Sequence, residues 1–545
     1  MIALHGFDAQ GADFRDAAGH SHRLGLSDLL ALAREGRDAK SGQRAPGFLH
    51  ARGSLTACDA RGSSWHLAFA DGSAVTVLAA DLAEMIRPYA PHVAPRVWRG
   101  DDAAPPTHDY AAVMAGGAAR LACLRQVLSH GYVRLTGVPA VPGTVADFLG
   151  SFGPVRETNY GLLFDVVVRP DPANLADSAL ALPPHADNPY RTTPPDLQAL
   201  HALAAASDGG ETWLVDGSAV IAHLRDVAPD ALALLVSVPV RWAWADATWR
   251  LETCEPVVAL GPDGALLRLR VNSRSFDRPI EPDPARRAAW WQAWETLETC
   301  LADPQFALGF TLAAGELVLM DNRRVLHGRM AFAGVPGERH LQGAYADIDG
   351  LASEVLRLAE SHADGMVDAL GKLYLAPELD GHYGEDVSIR DHMLQSAGLA
   401  AERGLGEAAV AAALLHDIGW SPKLAKPGVS HEHTAADHLA AIFGEGVAAP
   451  VRWHVAAKRY LVARRPGYHD CLSAASQETL RQQGGPMSPA ECAMFEAMPD
   501  HGTYIAIREI DDAGKAPDAP VLPWSDYKPV LRKLALAHAL VITAI

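Results

Sequence analysis

Six nitrogen- and oxygen-bearing side chains in the C-terminal third constrain this chain more than any other feature. They are His392, the adjacent pair His416-Asp417, His431, His454 and Asp511. His392, His416, Asp417 and the late Asp511 suffice for one metal ion. His431 and His454 add two imidazoles, enough for a second ion if Asp417 bridges the pair. All six are nitrogen or oxygen donors, which suits iron, manganese or zinc and not a thiolate site. The segments that carry them (SIRDHMLQSAGLAAERG, EAAVAAALLHDIG, HEHTAADHLAAIFG) have apolar residues at three- and four-residue spacing, so the site is expected among helices.

The rest of the chain is too long to be an accessory to that site. At 545 residues it predicts two or three domains. Apolar content of 49% against 21% charged residues predicts globular folding throughout. A formal charge of -18 argues against a nucleic-acid partner, which needs a basic face. The six cysteines are scattered without a CxxC pair, which fits a reducing cytosol and neither a disulfide framework nor a zinc ribbon. MIALHGFDAQ does not read as a signal peptide, and no apolar run reaches a membrane span. The expected location is cytoplasmic, with no membrane partner.

Three regions differ in character. Residues 1–95 read as a small β-rich domain, with WHLAFADGSAVTVL alternating around a DG turn and DLAEMIRPYAP as a short helix. RVWRGDDAAPPTHDY is polar and proline-bearing and reads as a linker. In 96–350, short β-branched runs such as GYVRLTGVP, ETWLVDG and GELVLMDN alternate with helical stretches such as RRAAWWQAWETLETCLAD. That spacing predicts a jelly roll with helical decoration. Residues 351–545 read as all-helical, so the chain is expected to be a multidomain tandem of β and α units.

The middle region holds a second set of donors. LPPHADNPY contains His185 and Asp187, and an i, i+2 pair on an extended segment points to one side. VLMDNRRVLHGRMAF adds His327. Two histidines and one carboxylate form the facial triad of non-haem Fe(II) oxygenases and leave three coordination positions open. Arg339, twelve residues on, offers a bidentate partner for a dicarboxylate, and Thr212 adds a hydroxyl. The Trp290, Trp291 and Trp294 cluster reads as packing or an interface.

HADNPYRTTPPDLQALHAL, GGETWLVDG, DNRRVLHGRMAF and RHLQGAYAD resemble the γ-butyrobetaine hydroxylase branch of the taurine-dioxygenase-like Fe(II)/2-oxoglutarate enzymes. The resemblance implies a double-stranded β-helix, with Fe(II) on His185, Asp187 and His327 and 2-oxoglutarate on Arg339. It implies a small N-terminal accessory domain of that branch at 1–95. The branch often places a zinc-binding cysteine cluster there; here the first cysteine is Cys58, so zinc is not expected. The positions matching the branch's trimethylammonium cage are Tyr160, Phe164, Asp177, Asn188 and Tyr345. Asp177 and Asn188 replace aromatics, and a carboxylate suits an ammonium that keeps N–H donors, which favours a primary amine. Asn272 and Arg274 are candidate contacts for the anionic end.

WHVAAKRYLV, LSAASQETLRQQGGPM, IREIDDAGK, HYGEDVSIRDH and LLHDIG resemble the PhnZ-type HD oxygenases, over about 365–540. The resemblance implies an all-α HD domain with a mixed-valence Fe(II)/Fe(III) pair that uses O2 to cleave the carbon–phosphorus bond of 1-hydroxy-2-aminoethylphosphonates. It makes the six donors above the iron ligands, with Asp417 bridging. Lys458, Ser476 and Thr479 match phosphonate-binding positions, and Glu385 matches a gating carboxylate. The family's tyrosine partner to that glutamate falls at His382 here, with Tyr383 beside it. Trp420 stands where the family member has a histidine.

Together these resemblances imply one pathway: C1-hydroxylation of 2-aminoethylphosphonate, then oxidative C–P cleavage to phosphate and glycine. Three alternatives stand beside it. One is the same pathway on 2-trimethylaminoethylphosphonate giving glycine betaine. Another is a betaine hydroxylase fused to an HD phosphohydrolase, and the third is a regulatory protein with a degenerate domain. The expected partner is a small-molecule aminophosphonate, and a homodimer is compatible with the sequence.

Overall fold

The computed structural model describes residues 3–15, 20–38, 40–44, 53–61, 64–86, 91–102, 104–169, 177–205, 209–332, 339–382, 384–517 and 519–541. Internal contacts divide the chain into two compact units. One comprises Met1–Pro91, Pro377–Ala436 and Gly446–Pro523; the other comprises His92–Ala376, Asp437–Glu445 and Trp524–Ile545.

The second of these holds four sheets among its described residues, of which the two largest form its frame. The larger runs, in spatial order, through Phe164–Val167, His340–Ala346, Leu197–Ala204, Leu317–Asp321, Tyr132–Thr136 and His108–Asp109. The smaller orders Leu182–His185, Val325–Arg329, Thr212–Asp216 and Ala307–Phe310. All these pairings are antiparallel except the short one between His108–Asp109 and Tyr132–Thr136. Alternation along each strand sorts side chains between faces. Tyr132, Leu200, Ala202, Val318 and Met320 turn inward and meet Leu214 and Val325 of the smaller sheet. Val133, Leu135, Leu197, Ala199, Leu317 and Leu319 turn outward onto helices Gly117–His130, Thr144–Gly150 and Ile348–Tyr374. The smaller sheet's outer face packs Val215 and Leu326 against helices Gly217–Val227 and Pro284–Ala302. Trp290 and Trp294 stack at 5.7 Å in that core, while Trp291 is half exposed. Two antiparallel sheets closed over a common interior make the jelly roll expected of this region.

The segment read as a linker is anchored. Trp98 is buried, its backbone N–H donates to Asp216 Oδ2 at 3.1 Å and its indole N–H donates to the His130 carbonyl at 2.7 Å. Arg324 donates to both oxygens of Asp216 (2.9 and 2.7 Å) and to the carbonyls of Ser129 and Arg96. Polar, proline-bearing composition marks irregular backbone; it does not reveal that a buried ion pair will hold that backbone down.

In the first unit, the N-terminal part has two three-stranded antiparallel sheets, Ala3–Asp8/Gly11–Arg15/Ser21–Gly25 and Leu55–Arg61/Ser64–Phe69/Ala74–Leu78. Phe14 and Trp65 meet edge-on at 5.3 Å in a core with Leu29, Leu67 and Val77. Cys58 is buried there. The remainder is helical. Ile389–Glu402, Glu407–Leu415 and His501–Ala513 pack on one another, and Glu445–Arg464 is the longest helix of the region. Ser388 caps the first of these by accepting from the Asp391 amide at 3.1 Å. Among the described residues no helix is long and apolar enough to cross a membrane.

Asp216 is fully buried, and Arg324 is its guanidinium partner. Arg324→Met strands that carboxylate, and breaking a buried pair from one side costs about 3–5 kcal/mol. Urea denaturation of the variant is expected to show a loss of that size in the transition of this unit.

Candidate metal centres

In the jelly roll, antiparallel pairing sets His185 opposite His327, with ring centroids 4.3 Å apart. Asp187 lies two residues past the end of the Leu182–His185 strand. Its amide donates to Asn322 Oδ1 at 2.7 Å, and Asn322 Nδ2 donates back to its carbonyl at 3.1 Å. One donor atom from each of His185, Asp187 and His327 lies within 4.8 Å of the others. His185 Nδ1 donates to the Pro183 carbonyl at 2.9 Å. A carbonyl only accepts, so Nε2 carries the free lone pair toward the cluster.

Asp187 divides its oxygens. Oδ2 accepts from Gln198 Nε2 at 2.6 Å and from the Tyr345 hydroxyl at 2.8 Å, two residues paired in register on neighbouring strands. Oδ1 faces His185 Nε2 at 3.5 Å. Burial pushes the Asp187 pKa up, but His185 and His327 outweigh it and hold the group well below the usual carboxylate range. Burial and the neighbouring His185 push His327 down to about 3, so it is neutral and able to ligate. Its Nδ1 is buried without a hydrogen-bond partner among the described residues. Two imidazoles, one of them neutral by burial, one ionised carboxylate and an orphaned ring nitrogen fit a divalent iron.

These donors open into a cavity of about 700 Å³. Thr212 and Arg339 line it, as do Asn272, Arg274 and Asp177. Among the described residues Arg339 has no carboxylate or carbonyl partner; it lies over the Phe332 ring at 5.4 Å. Burial lowers it to about 10, which leaves it cationic at neutral pH. Arg329 instead donates to the Ser178 and Leu180 carbonyls. Aromatic rings gather on one side. Phe164 stacks on Tyr345 at 4.9 Å, Tyr160 meets Trp244 edge-on at 5.6 Å, and Tyr190 stacks on Trp244 at 5.7 Å. Gly343 makes the first stack feasible, since a Cβ there would lie 2.2 Å from the Phe164 ring. Asn188 adopts φ 56°, a left-handed conformation asparagine tolerates, and its side chain accepts from the Tyr190 hydroxyl at 2.5 Å. Asp177 forms an ion pair with Arg169 at 3.5 Å.

In the helical region the six donors form two groups of three: His392, His416 and Asp511, and Asp417, His431 and His454. Asp417 faces both. Its Oδ1 lies 3.2 Å from His431 Nε2 and 3.9 Å from His454 Nε2, and its Oδ2 lies 3.6 Å from His416 Nε2 and 3.8 Å from His392 Nε2. The Nδ1 atoms of His392, His416 and His454 donate to the carbonyls of Gly514, Ala413 and Val451 at 2.7–2.8 Å. His392 Nε2 and His416 Nε2 face each other at 3.1 Å. Asp511 Oδ1, 3.2 Å from His392 Nε2, supplies a third donor atom beside them. The donor chemistry fits two metal ions.

A cavity of about 110 Å³ adjoins these donors. Lys458, which donates to Thr479 Oγ1 at 2.9 Å, lines it. Burial and nearby Arg508 lower Lys458 to about 8. Glu385 lines it too, accepting from Lys515 at 2.7 Å and Ser473 at 2.7 Å, and Lys515 reaches Ser476 Oγ at 3.1 Å. Trp420 stacks on His431 at 4.5 Å. Tyr383 lies outside the described residues. Sequence reading does not single out Gln198, Asn322, Tyr190 and Trp244 in the first centre, nor Arg508 and Lys515 in the second. The last two sit in IREIDDAGK, a segment whose charge density next to a ligand is itself a signal.

Residues 86–345 match the Taurine catabolism dioxygenase TauD, TfdA family. This TauD/TfdA region is therefore an Fe(II)/2-oxoglutarate dioxygenase domain. γ-Butyrobetaine dioxygenase of Pseudomonas sp. strain AK-1 is 36% identical over 253 residues, 46% of this chain and 66% of that enzyme. The glycine-betaine-forming 1-hydroxy-2-(trimethylamino)ethylphosphonate dioxygenase of Leisingera caerulea is 35% identical over 180 residues, 32% of this chain and 92% of that enzyme. Hydroxymethylphosphonate dioxygenase of Gimesia maris is 37% identical over 153 residues, 27% of this chain and 76% of that enzyme. Relatives of this chain thus include butyrobetaine and phosphonate dioxygenases.

Backbone closeness at the second centre gives a direct check. A Cβ on Gly419 would lie 2.0 Å from the His431 carbonyl oxygen. Gly419→Ala is expected to displace His431 and to lower metal retention of the helical cluster at least tenfold, measured by metal analysis after dialysis, with 2-oxoglutarate turnover preserved.

Proposed function

We propose that this chain is a bifunctional oxygenase of phosphonate breakdown, organised as an accessory domain at 1–95, a dioxygenase at 96–350 and an HD-type di-iron oxygenase at 351–545. The carrying observation is the pair of unlike donor sets, one of three side chains and one of six sharing Asp417. In the first centre His185, Asp187 and His327 would hold Fe(II). Arg339, with Thr212 beside it, would take a carboxylate of 2-oxoglutarate bidentately. When bound, iron and 2-oxoglutarate supply the oxidant that places a hydroxyl on the carbon next to phosphorus, with succinate and CO2 as co-products. The aromatic side of the cavity receives the ammonium end, and Arg274 with Asn272 faces the phosphonate.

In the second centre His392, His416, Asp511, His431, His454 and the shared Asp417 would hold a mixed-valence Fe(II)/Fe(III) pair. When bound, that pair supplies O2 chemistry for C–P cleavage. The balance is one hydroxyphosphonate plus one O2 giving one carboxylic acid plus one phosphate. Lys458, Ser476 and Thr479 hold the phosphonate, and an ammonium with two hydroxyls suits a dianion. Glu385 stands at the mouth, held by Lys515, where it can meet the substrate's cationic end.

The amine is read as trimethylated, which makes the product glycine betaine. Asp177, the residue that favours a primary amine on sequence, is already paired with Arg169. Tyr190 and Trp244 add two rings to Tyr160, Phe164 and Tyr345 around the cavity. Ring faces suit a quaternary ammonium, which has no N–H to donate. The names of two relatives, a butyrobetaine and a trimethylaminoethylphosphonate dioxygenase, agree with this. The second reading is 2-aminoethylphosphonate giving glycine, and it rests on Asp177 lining the same cavity.

Purified chain with Fe(II), ascorbate and 2-oxoglutarate is expected to release phosphate and glycine betaine from 2-trimethylaminoethylphosphonate. His185→Ala should abolish 2-oxoglutarate consumption and leave phosphate release from the 1-hydroxy compound intact. His454→Ala should do the reverse, accumulating the hydroxylated product. A His185→Ala chain unable to process the 1-hydroxy compound would show that the division of labour is wrong.

Substrate choice has its own check. A desolvated cation–π contact is worth about 1–2 kcal/mol, or roughly tenfold in affinity. Trp244→Ala is expected to lower kcat/KM for the trimethylated phosphonate by about that factor and to change that for 2-aminoethylphosphonate far less. Wild-type preference for the primary amine would sink the trimethyl reading.

A further inference from the structure

Asp511 has both oxygens committed in different directions. Oδ1 faces His392 Nε2 at 3.2 Å and His416 Nε2 at 3.9 Å. Oδ2 accepts from Arg508 Nη1 at 2.5 Å. Arg508 is buried, with 4% side-chain exposure, so its charge must be met inside the protein. It is met by Asp512, whose Oδ1 accepts from Nη2 and whose Oδ2 lies 3.3 Å from Nε. Tyr468, more than forty residues upstream, closes the group. Its hydroxyl donates to Asp512 Oδ2 and accepts from Arg508 Nε at 3.3 Å. The Tyr468 ring is seated in a small core with Leu461, Leu472 and Leu480.

This arrangement uses all three guanidinium nitrogens. Nη1 goes to the metal-facing carboxylate, and Nη2 and Nε go to Asp512 and Tyr468. A guanidinium is planar, so fixing Nη2 and Nε fixes where Nη1 points. The Tyr468 ring is anchored in its core, so the hydroxyl is a fixed reference point for the whole chain of contacts.

We infer that Tyr468 and Asp512 are positioning residues for the second centre: they hold Arg508 so that it occupies Oδ2 of Asp511 and leaves Oδ1 alone for a metal ion. Asp511 is thereby a one-oxygen donor. Without the clamp the carboxylate is free to rotate, and the His392/His416 group loses a pre-set third donor. Partners of metal ligands typically contribute 10–100-fold in metal affinity.

This inference rests on the reading of the six donors as a metal centre, and the test separates the two. The full chain carrying His185→Ala removes the jelly-roll centre, so metal bound belongs to the helical cluster. Mn(II) titration followed by electron paramagnetic resonance measures its affinity, with thermal unfolding of the metal-free chain as a control for folding. Tyr468→Phe keeps the ring and removes only the hydroxyl; Asp512→Asn removes the charge. Each is expected to weaken Mn(II) binding at least tenfold with little change in metal-free melting temperature. The double variant should be no worse than the weaker single, because both act through Arg508. Absence of Mn(II) binding in the His185→Ala parent would overturn the metal reading itself. Binding in the parent that is unchanged in both variants would overturn only the positioning role. So would losses that add independently, or losses matched by a fall in metal-free melting temperature.

Discussion

Each centre depends on a largely buried carboxylate that stays ionised because donors converge on it. Asp187 and Asp417 expose 15% and 17% of their side chains. Burial alone would neutralise them. In both, nearby imidazoles override burial and pull the pKa well down. The carboxylate charge favours protonation of the imidazoles around it, and burial opposes that. His327 and His454, both lowered to about 3 by burial and by neighbouring histidines, are in the neutral, ligating form.

The two scaffolds reach this state by different routes. In the jelly roll, convergence is a matter of strand register. His185 faces His327 across one pair, and Gln198 faces Tyr345 across another. A one-residue slip would turn each of these side chains to the opposite face. Among the helices, orientation is local. His416 and His454 each bond the carbonyl three residues earlier, so each ring is aimed within its own turn before any packing occurs. Only the convergence of the separate helices is long-range.

That difference explains what was legible in the sequence. The six helical donors, the HxD pair and the distant His327 stand out because ligand chemistry demands those residue types. Strands such as Thr212–Asp216 and Leu317–Asp321 and helices such as Ile389–Glu402 and Glu407–Leu415 follow from apolar periodicity. Gln198, Asn322 and Trp244 were hidden because neutral polar and aromatic residues carry no spacing rule, and their roles arise from register across distant strands. Trp98 was read as part of a linker for the same reason: its partners Asp216 and His130 lie far away in sequence. Asp177 was legible as a cavity residue but not as the partner of Arg169.

One device recurs in the two unrelated scaffolds. Asp187 gives Oδ2 to Gln198 and Tyr345 and turns Oδ1 toward His185. Asp511 gives Oδ2 to Arg508 and turns Oδ1 toward His392. A carboxylate with one oxygen held this way would offer a metal ion one donor atom rather than two. The partners differ in charge. At Asp187 the donors on Oδ2 are neutral, and the Arg274 guanidinium lies 4.0 Å from Oδ1. Asp511 shares its charge with a guanidinium, and the His392/His416 pair has a second carboxylate beside it in Asp417 Oδ2. Neutral clamping of Oδ2 therefore goes with the centre that has one carboxylate, and cationic clamping with the centre that has two.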